Sequence, residues 1–337
     1  MNLVTGGTGL VGTHLLYRLL KANEPVRVLI RKASDTNQIK KTFSYYDADF
    51  EALFNKIEWA EGELLDIGSL EDAFDGTTRI YHTAAFVSFD PADKYSMLKN
   101  NVEGTANIVN LSLDLGIEKL CHVSSTSALG APVDGEDVNE SVMWSPSKKN
   151  SSYGVSKFYS EMEVWRGITE GLNAVIVNPS VIIGPGNWNR SSAGLIKAVR
   201  KGMKYYTHGM TGYVDVRDVV EVMKRLMDSD ISGERFIVSA ENLSYREVFN
   251  MIADALGEKR PTIHADKFLS SMAWRLDSVK SLLSGTPRLL TKETANAGQN
   301  RVSFSNLKVK EATGVEFTPL KIAIHDTCQL FLNENQK

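Results

Sequence analysis

A tyrosine and a lysine four residues apart, Tyr153 and Lys157, are the residues of this sequence best suited to acid–base chemistry. They lie near the start of a predicted helix, 151–169, and residues at positions i and i+4 share one face of a helix. The ammonium group would then favour the phenolate and lower the tyrosine pKa, so that proton exchange with an alcohol or carbonyl becomes feasible near neutral pH. The same spacing also occurs on exposed helices, so its meaning depends on the elements around it.

A run of hydroxyl side chains, 124–127, follows the predicted fifth strand at its C-terminal end. A hydroxyl at that end of the strand could hydrogen-bond the oxygen of a substrate. Serine-rich loops are otherwise turns with side-chain-to-backbone hydrogen bonds.

The glycine-rich run TGGTGLVG, at 5–12, directly follows the first predicted strand and opens the first predicted helix. Gly6 permits a tight turn with positive φ, Gly9 lets the backbone approach a pyrophosphate, and Gly12 lets helix and strand pack closely. The helix N-terminus offers free N–H groups and the positive end of a dipole to phosphates. With a strand before it and a helix after it, the run predicts dinucleotide binding.

The second predicted strand, 26–30, should end beside the adenosine ribose. NAD-selective sites usually place an acidic residue there, but this chain has Arg31 and Lys32, and its first acid is Asp35. A guanidinium can grip a 2′-phosphate with paired donors. The sequence therefore favours NADP(H), with NAD(H) as the alternative. A solvated basic pair on a surface loop, with no role in cofactor binding, is the other interpretation of these two residues.

Short β-rich runs alternate with helical stretches through about residue 177. The predicted strands span 3–4, 26–30, 57–60, 79–82, 120–124 and 174–177. The predicted helices between them span 10–22, 69–74, 92–115 and 151–169. This alternation predicts an α/β fold of Rossmann type, with a doubly wound parallel sheet and a smaller, mostly helical C-terminal substrate lobe.

The domain boundaries follow from the same pattern. We expect residues 1–178 to form the NAD(P)-binding domain, with 213–239 returning to it. Residues 179–212 and 240–337 would form the substrate-binding lobe, covering the edge of the sheet where ligands bind in open α/β sheets.

Composition narrows the class of protein. The chain has 337 residues, a net charge of −3 and two cysteines, which argues against nucleic-acid or anionic-membrane partners and against a disulfide framework. The six histidines are scattered, and no metal site is expected. No apolar run approaches the roughly 20 residues that span a bilayer, and no signal peptide is visible, so we expect a cytoplasmic protein.

The sequence resembles the extended short-chain dehydrogenase/reductase superfamily, also called the NAD-dependent epimerase/dehydratase family. The resemblance covers most of the chain and is strongest from Met1 to about Asp218. The motifs that carry it are TGGTGLVG at 5–12, DI at 66–67, HTAA at 82–85, NVEGT at 101–105, SST at 124–126, YGVSK at 153–157 and NPSVIIGPG at 178–186.

The resemblance implies a role for each of these residues. The adenine would lie against 66–67, the ribose side against 83–85 and the nicotinamide against 178–181, while Lys157 would hold the nicotinamide ribose. The full set expected to bind the cofactor is Gly6, Thr8, Gly9, Leu10, Val11, Gly12, Arg31, Lys32, Asp66, Ile67, Thr83, Ala84, Ala85, Asn101, Tyr153, Lys157, Asn178, Pro179 and Val181. Tyr153 would be the acid/base, helped by the hydroxyl of Thr126 if the third position of the SST run is used or of Ser125 if the second is. Thr126 is favoured.

Two departures separate this chain from the nucleotide-sugar branch of the family. Members of that branch often carry an arginine for the substrate pyrophosphate where this chain reads Thr211-Gly212, and an Arg and a Tyr where it has Asn178 and Ile183. The best resemblance is to dihydroflavonol-reductase-like and 3β-hydroxysteroid-dehydrogenase-like members. An aromatic, mostly apolar substrate pocket is expected from Phe86, Val87, Ser127, Trp188 and Tyr213, although core packing would also suit the apolar members.

These observations predict an NADP(H)-dependent oxidoreductase that interconverts a ketone or aldehyde and an alcohol on a small, fairly apolar substrate. A nucleotide-sugar epimerase or dehydratase with retained NAD is the alternative, and a non-catalytic NADP(H)-binding sensor is a second one. The resemblance also makes a homodimer through helices near 92–115 and 151–170 possible.

Overall fold

The computed structural model describes residues 1–131, 136–147, 150–189, 192–284 and 291–335. The strands within these residues are β1 (Asn2–Thr5), β2 (Val26–Ile30), β3 (Glu58–Glu61), β4 (Arg79–His82), β5 (Lys119–Val123), β6 (Ala174–Pro179), β7 (Val181–Ile183), β8 (Tyr205–Tyr206), β9 (Met210–Asp215), β10 (Glu234–Val238), β11 (Glu241–Ser244) and β12 (Ile263–His264). The helices are α1 (Leu10–Lys21), α2 (Asn37–Ser44), α3 (Glu51–Phe54), α4 (Ile67–Phe74), α5 (Lys94–Leu98), α6 (Gly104–Asp114), α7 (Ser152–Thr169), α8 (Ala193–Arg200), α9 (Val216–Asp228), α10 (Tyr245–Leu256), α11 (Lys267–Ser284), α12 (Lys292–Ala297), α13 (Leu307–Thr313) and α14 (Leu320–Asn335).

Seven parallel strands form the central sheet, in the order β10-β6-β5-β4-β1-β2-β3. Strand β1 lies between β4 and β2, so the chain order reverses there. In such sheets the crevice at the carboxyl ends of the two central strands is the ligand-binding position. The Rossmann-type α/β fold expected from the sequence is confirmed.

Both faces of this sheet are buried along its inner strands, whereas the edge strand β3 is mostly exposed. Side chains alternate between faces along a strand, and accordingly Leu3 and Val4 of β1 lie in different apolar clusters. One cluster packs the sheet against α1, α2 and α9, and the other packs it against α4, α6 and α7. Helices on both faces make the sheet doubly wound.

A smaller lobe carries two short sheets, β11-β9-β7 and β12-β8. Its apolar core joins α8, α10 and α14 to β7 and β9. The lobe is mostly helical, as expected. Strand β10 and helix α9 pack with the large sheet, whereas β9, which begins the 213–239 return, pairs in the small lobe. The domain boundaries drawn from the sequence stay a prediction.

The segment 92–115, predicted as one helix, is divided. A 3₁₀ turn (Pro91–Asp93) leads into α5, a π-helical turn (Lys99–Glu103) follows, and α6 completes the segment. Turns of this kind inside helices are rare and frequently mark functional sites. Among the described residues, no helix is both long and apolar enough to cross a membrane.

Candidate active site

The glycine-rich turn between β1 and α1 has little room for side chains. Gly6 has φ +73°, and a Cβ there would lie 2.6 Å from Ala84 Cα, in the loop after β4. A Cβ on Gly12 would lie 2.2 Å from the carbonyl oxygen of Gly6. Only glycine fits either position, and both keep α1 close against the ends of β1 and β4.

Gly9 has a different environment. It is exposed, its backbone is extended, and a Cβ there would meet only the Gly6 carbonyl oxygen, at 3.2 Å. Gly9 is also the N-cap of α1 and carries no side-chain cap, so the first N–H groups of the helix are available to an outside acceptor. Thr8, Leu10 and Val11 are half-buried around it. This cradle fits a pyrophosphate at a helix N-terminus.

Arg31 and Lys32 lie at the end of β2, where the adenosine ribose is expected. Both are exposed, and their side chains make no hydrogen bond or ion pair within the described part of the chain. The nearest acid, Asp35, is exposed four residues beyond Arg31, and one of its carboxylate oxygens accepts the backbone N–H of Asn37 at 3.0 Å. The basic side chains are therefore free to meet an anion.

The loops after β3 and β4 complete the cofactor edge. Asp66 is the N-cap of α4 but its carboxylate accepts no capping hydrogen bond, and the neighbouring Ile67 is 53% exposed, as adenine contact requires. Thr83 donates its hydroxyl to the carbonyl of Thr5 at 2.7 Å, which places Thr83, Ala84 and Ala85 beside the glycine turn.

Tyr153 and Ser125 meet at the carboxyl end of β5. Helix α7 begins under a Ser151 cap, whose hydroxyl accepts the Gly154 N–H at 2.9 Å. A Cβ on Gly154 would lie 2.7 Å from the Ser127 carbonyl oxygen, so glycine brings the helix close to the SST turn. The Ser125 hydroxyl accepts the Ser127 N–H at 3.1 Å and lies within hydrogen-bonding reach of the Tyr153 phenol. Thr126 is half-buried at the start of a 3₁₀ turn.

The pKa of Tyr153 differs from the sequence expectation. Burial raises it above its usual value, because the phenolate is poorly solvated, and the bond with Ser125 only partly offsets this. The sequence analysis expected Lys157 to lower this pKa, and that expectation is wrong because the pKa is raised. The phenol is therefore protonated at neutral pH and can donate its proton.

Lys157 is buried on the same face of α7 as Tyr153. Its ammonium donates to the carbonyl oxygen of Val123, at 2.8 Å, at the end of β5. Burial lowers the pKa of Lys157 to about 8, and the nearby Glu161 carboxylate opposes this shift. Lys157 is therefore mostly cationic at neutral pH, because its pKa of about 8 lies only a little above that pH.

The side-chain amides of Asn101 and Asn178 both hydrogen-bond within the protein. The amide of Asn101, in the π-helical turn, accepts the Phe86 N–H and donates to the Phe86 carbonyl and the Ser156 hydroxyl. Asn178 is fully buried, and its amide donates to the Ser125 carbonyl and to Glu161. Both amides thus position neighbouring segments of the protein, and the cofactor contacts of these two residues stay a prediction. Pro179 is also buried, and Val181 is half-buried.

An apolar loop follows β4 next to the catalytic tyrosine. Phe86, Val87 and Phe89 are 37%, 49% and 41% exposed, which is unusual for three apolar side chains so close in sequence. The Phe89 ring lies edge-on to Tyr153 with centroids 6.0 Å apart. The exposed Ser127 lies on the SST turn. These residues offer an apolar surface at the catalytic end of the sheet.

Trp188 and Tyr213 do not line this surface. Trp188 packs edge-on against Phe331 in the core of the small lobe, and its indole N–H donates to Glu334 at 2.7 Å. Tyr213 has no exposed surface and lies in the same core. Their predicted substrate contacts are corrected to core packing, because large aromatic side chains at the base of a lobe are its main source of buried area.

Sequence reasoning missed two acidic residues near Tyr153. Glu293, on α12, accepts the backbone N–H of Ser152 at 3.1 Å, so the small lobe touches the first turn of the catalytic helix. Glu161, on α7, is buried one turn beyond Lys157. For Glu161 a signal was present, since the spacing of four residues from Lys157 places both on one helix face; for Glu293 there was none.

Comparison with known proteins agrees with this geometry. A model of the NAD dependent epimerase/dehydratase family matches residues 2–239. A protein named "Sterol demethylase protein B", from Methylococcus capsulatus, is 34% identical over 263 residues, covering 77% of this chain and 76% of its own length. A "Putative dihydroflavonol 4-reductase" from Synechocystis sp. is 28% identical over 337 residues, covering 98% and 94%.

A solved structure shares the whole fold. The crystal structure of gox2253 superposes with a TM-score of 0.81 at 28% sequence identity, and the match covers 100% of this chain and 99% of that one.

A doubly wound sheet, a glycine turn at its switch point and a Tyr/Lys pair beside it together define a dinucleotide-dependent oxidoreductase. The chain belongs to the NAD-dependent epimerase/dehydratase family, within the extended short-chain dehydrogenases/reductases, and is NAD(P)-dependent.

Proposed function

We propose that this protein interconverts a ketone or aldehyde and an alcohol on a small, fairly apolar substrate, with NADP(H) preferred over NAD(H). The observation that carries the proposal is the placement of Tyr153 beside a buried Lys157 at the end of β5, with the Phe89 ring of an exposed apolar loop lying edge-on to the phenol. It joins a proton donor, a cation and an apolar surface at one end of the sheet.

In the reductive direction, Tyr153 gives its proton to the carbonyl oxygen of the substrate as the C=O bond becomes a C–OH bond. When bound, the reduced nicotinamide supplies hydride to the carbonyl carbon. Ser125 hydrogen-bonds the same oxygen, and its bond to Tyr153 supports it over Thr126 as the hydroxyl helper. The Lys157 ammonium stabilises the phenolate that Tyr153 leaves behind, which is electrostatic stabilisation of developing charge.

The substrate proposal depends on the loop after β4. Phe86, Val87 and Phe89 remain partly exposed at a cost in free energy of about 25 cal/mol for each Å² of apolar surface, which an apolar ligand would recover on binding. The relatives are named for a sterol demethylase and a dihydroflavonol reductase, which supports the reductase branch. The preference for NADP(H) is supported by the free side chains of Arg31 and Lys32.

The proposal extends to a homodimer through the predicted helical segments 92–115 and 151–170. Tyr95, Tyr159 and Met162 on these segments are 76%, 46% and 37% exposed, which supports an apolar contact there. Sedimentation velocity of the full chain tests the dimer, and a monomer at all concentrations would contradict it.

The test is NADPH oxidation by the purified protein across a panel of carbonyls, with a steroid ketone, a flavanone, a simple aliphatic ketone and UDP-glucose. We expect turnover on apolar carbonyls and none on the nucleotide sugar. Interconversion of nucleotide sugars with tightly retained NAD would favour an epimerase instead, and NADPH binding without turnover of any carbonyl would favour a sensor.

A further inference from the structure

Helix α7 carries a second buried charge one turn beyond Lys157. The Glu161 carboxylate is 1% exposed and accepts hydrogen bonds from two strands, from the loop directly after β5 and from its own helix. One oxygen accepts from Ser124 at 2.7 Å and from Asn178 at 2.8 Å. The other accepts from Arg235 at 3.0 Å and from Trp165 at 3.2 Å. This single side chain thus connects α7 with the ends of β5, β6 and β10.

Two of these partners control the position of the hydroxyl helper. Ser124 directly precedes Ser125, and its side chain is fixed by Glu161. Asn178 uses the same amide nitrogen to donate to the Ser125 carbonyl oxygen, at 3.1 Å. Glu161 therefore fixes the backbone on both sides of the Ser125 side chain. The Ser125 hydroxyl oxygen accepts the Ser127 N–H at 3.1 Å, which leaves its proton available towards Tyr153.

Glu161 also shapes the charge around Lys157. His82 on β4 and His122 on β5 face the ammonium, but burial lowers the pKa of His82 to about 3 and that of His122 well below its usual value, so both are neutral. Tyr153 is neutral at the same pH, because its pKa is raised. Glu161 is thus the acidic group whose charge stabilises the Lys157 ammonium in the described part of the chain.

Arg235 partly neutralises the Glu161 carboxylate and so weakens its effect on the Lys157 ammonium. Its guanidinium pairs with Glu161 and also donates to the carbonyl oxygen of Glu140, so it is held firmly in place. Burying a charged network is costly unless every group in it is satisfied. A neutral side chain would close the same space at lower cost, so a packing role alone does not account for a carboxylate here.

We propose that Glu161 is a positioning residue for the catalytic pair, whose carboxylate holds the Ser124–Ser125 backbone and serves as the counter-charge that keeps Lys157 protonated, with Arg235 moderating it. The inference rests on the proposed function for its effect on turnover. Its effect on Lys157 can be measured without turnover.

The test compares Glu161→Gln with Glu163→Gln, a matched control. Glu163 lies on the same helix but pairs with Arg166 at the surface. The first readout is the titration of Lys157 in the unliganded protein, followed by NMR of ¹³C-labelled lysine and assigned with a Lys157→Arg variant. We expect a wild-type midpoint of about 8, the same midpoint in Glu163→Gln, and one lower by about one pH unit in Glu161→Gln.

The second readout is the pH dependence of carbonyl reduction. The required ammonium is present below the pKa of Lys157 and is lost above it, so activity falls on the alkaline side. Because Glu161→Gln lowers that pKa, its alkaline limb should move to lower pH. Glu161→Asp, which keeps the charge, should restore the limb towards wild type even if its maximal rate is reduced.

Arg235→Met separates charge from packing, and serves if Glu161→Gln does not fold. It breaks the same network but removes a cation, so the Lys157 midpoint should rise above the wild-type value, and an unchanged or lower midpoint would contradict the role of charge. An unchanged midpoint in a folded Glu161→Gln would overturn the inference, as would an equal fall in both variants. If the wild type reduces no carbonyl, the proposed function fails while the NMR titration still decides the role of Glu161.

Discussion

Replacing Arg31 with alanine should weaken NADP⁺ binding while leaving NAD⁺ binding unchanged. The Arg31 guanidinium is exposed at the end of β2 and has no partner in the described residues, so its removal breaks nothing within the protein. In the complex we expect it to grip the 2′-phosphate, which is the one group that NAD⁺ lacks.

The magnitude follows from the kind of contact. A hydrogen bond to a charged group contributes about 1.5–3 kcal/mol, which is roughly a 10- to 150-fold change in affinity. Because no native contact is lost, the melting temperature of the unliganded protein should not change. Lys32→Ala is the natural control: an ammonium beside the site cannot form the paired contact of a guanidinium, and we expect a smaller loss.

Isothermal titration calorimetry with both cofactors on wild type, Arg31→Ala and Lys32→Ala gives the comparison. If Arg31→Ala weakened the binding of NADP⁺ and NAD⁺ equally, Arg31 would not contact the 2′-phosphate. A wild-type preference for NAD⁺ would refute the cofactor assignment itself.

Two further predictions concern the cofactor cradle and the substrate loop. Gly9→Ala should fold with a near-native melting temperature yet bind cofactor weakly. Gly12→Ala should be destabilised by about 1–3 kcal/mol or more, because its Cβ would lie 2.2 Å from a backbone oxygen. Thermal melts measure the stability and calorimetry the cofactor affinity of both variants, and equal melting temperatures would contradict the prediction. Phe89→Ala should raise KM for apolar carbonyls while hardly changing stability, since the ring is 41% exposed. A melting temperature several degrees lower, with KM unchanged, would instead show that Phe89 packs and does not bind substrate.

Local signals were enough to predict the large sheet and the cofactor turn. Strands β2, β5 and β6 are short runs rich in apolar residues. The run TGGTGLVG requires glycine at Gly6 and Gly12 for steric reasons that hold wherever a helix packs this closely on a strand. The Tyr153/Lys157 pair was predictable because four residues along a helix return to the same face.

Tertiary context decided what the sequence could not. Trp188 and Tyr213 are aromatic residues of the kind that line substrate pockets. Both instead pack in the core of the small lobe with residues of α14, and this packing is not visible in the sequence. The side chain of Asn101 points inward because it accepts the backbone N–H of Phe86, which lies fifteen residues earlier in the chain. The pKa of Tyr153 is raised because burial outweighs hydrogen bonding by Ser125, and burial is a property of the folded chain.

Tyr153 is the proton donor in the proposed reaction, and its phenol can be removed by a single substitution to phenylalanine. The measurement is NADPH oxidation by wild type and Tyr153→Phe on the best carbonyl of the panel, alongside calorimetric titration of NADP⁺. Loss of general acid catalysis should lower kcat roughly 100- to 10,000-fold, with NADP⁺ affinity nearly unchanged because the phenylalanine keeps the ring beside Phe89. Turnover by Tyr153→Phe within a few-fold of wild type, with cofactor still bound, would contradict the mechanism.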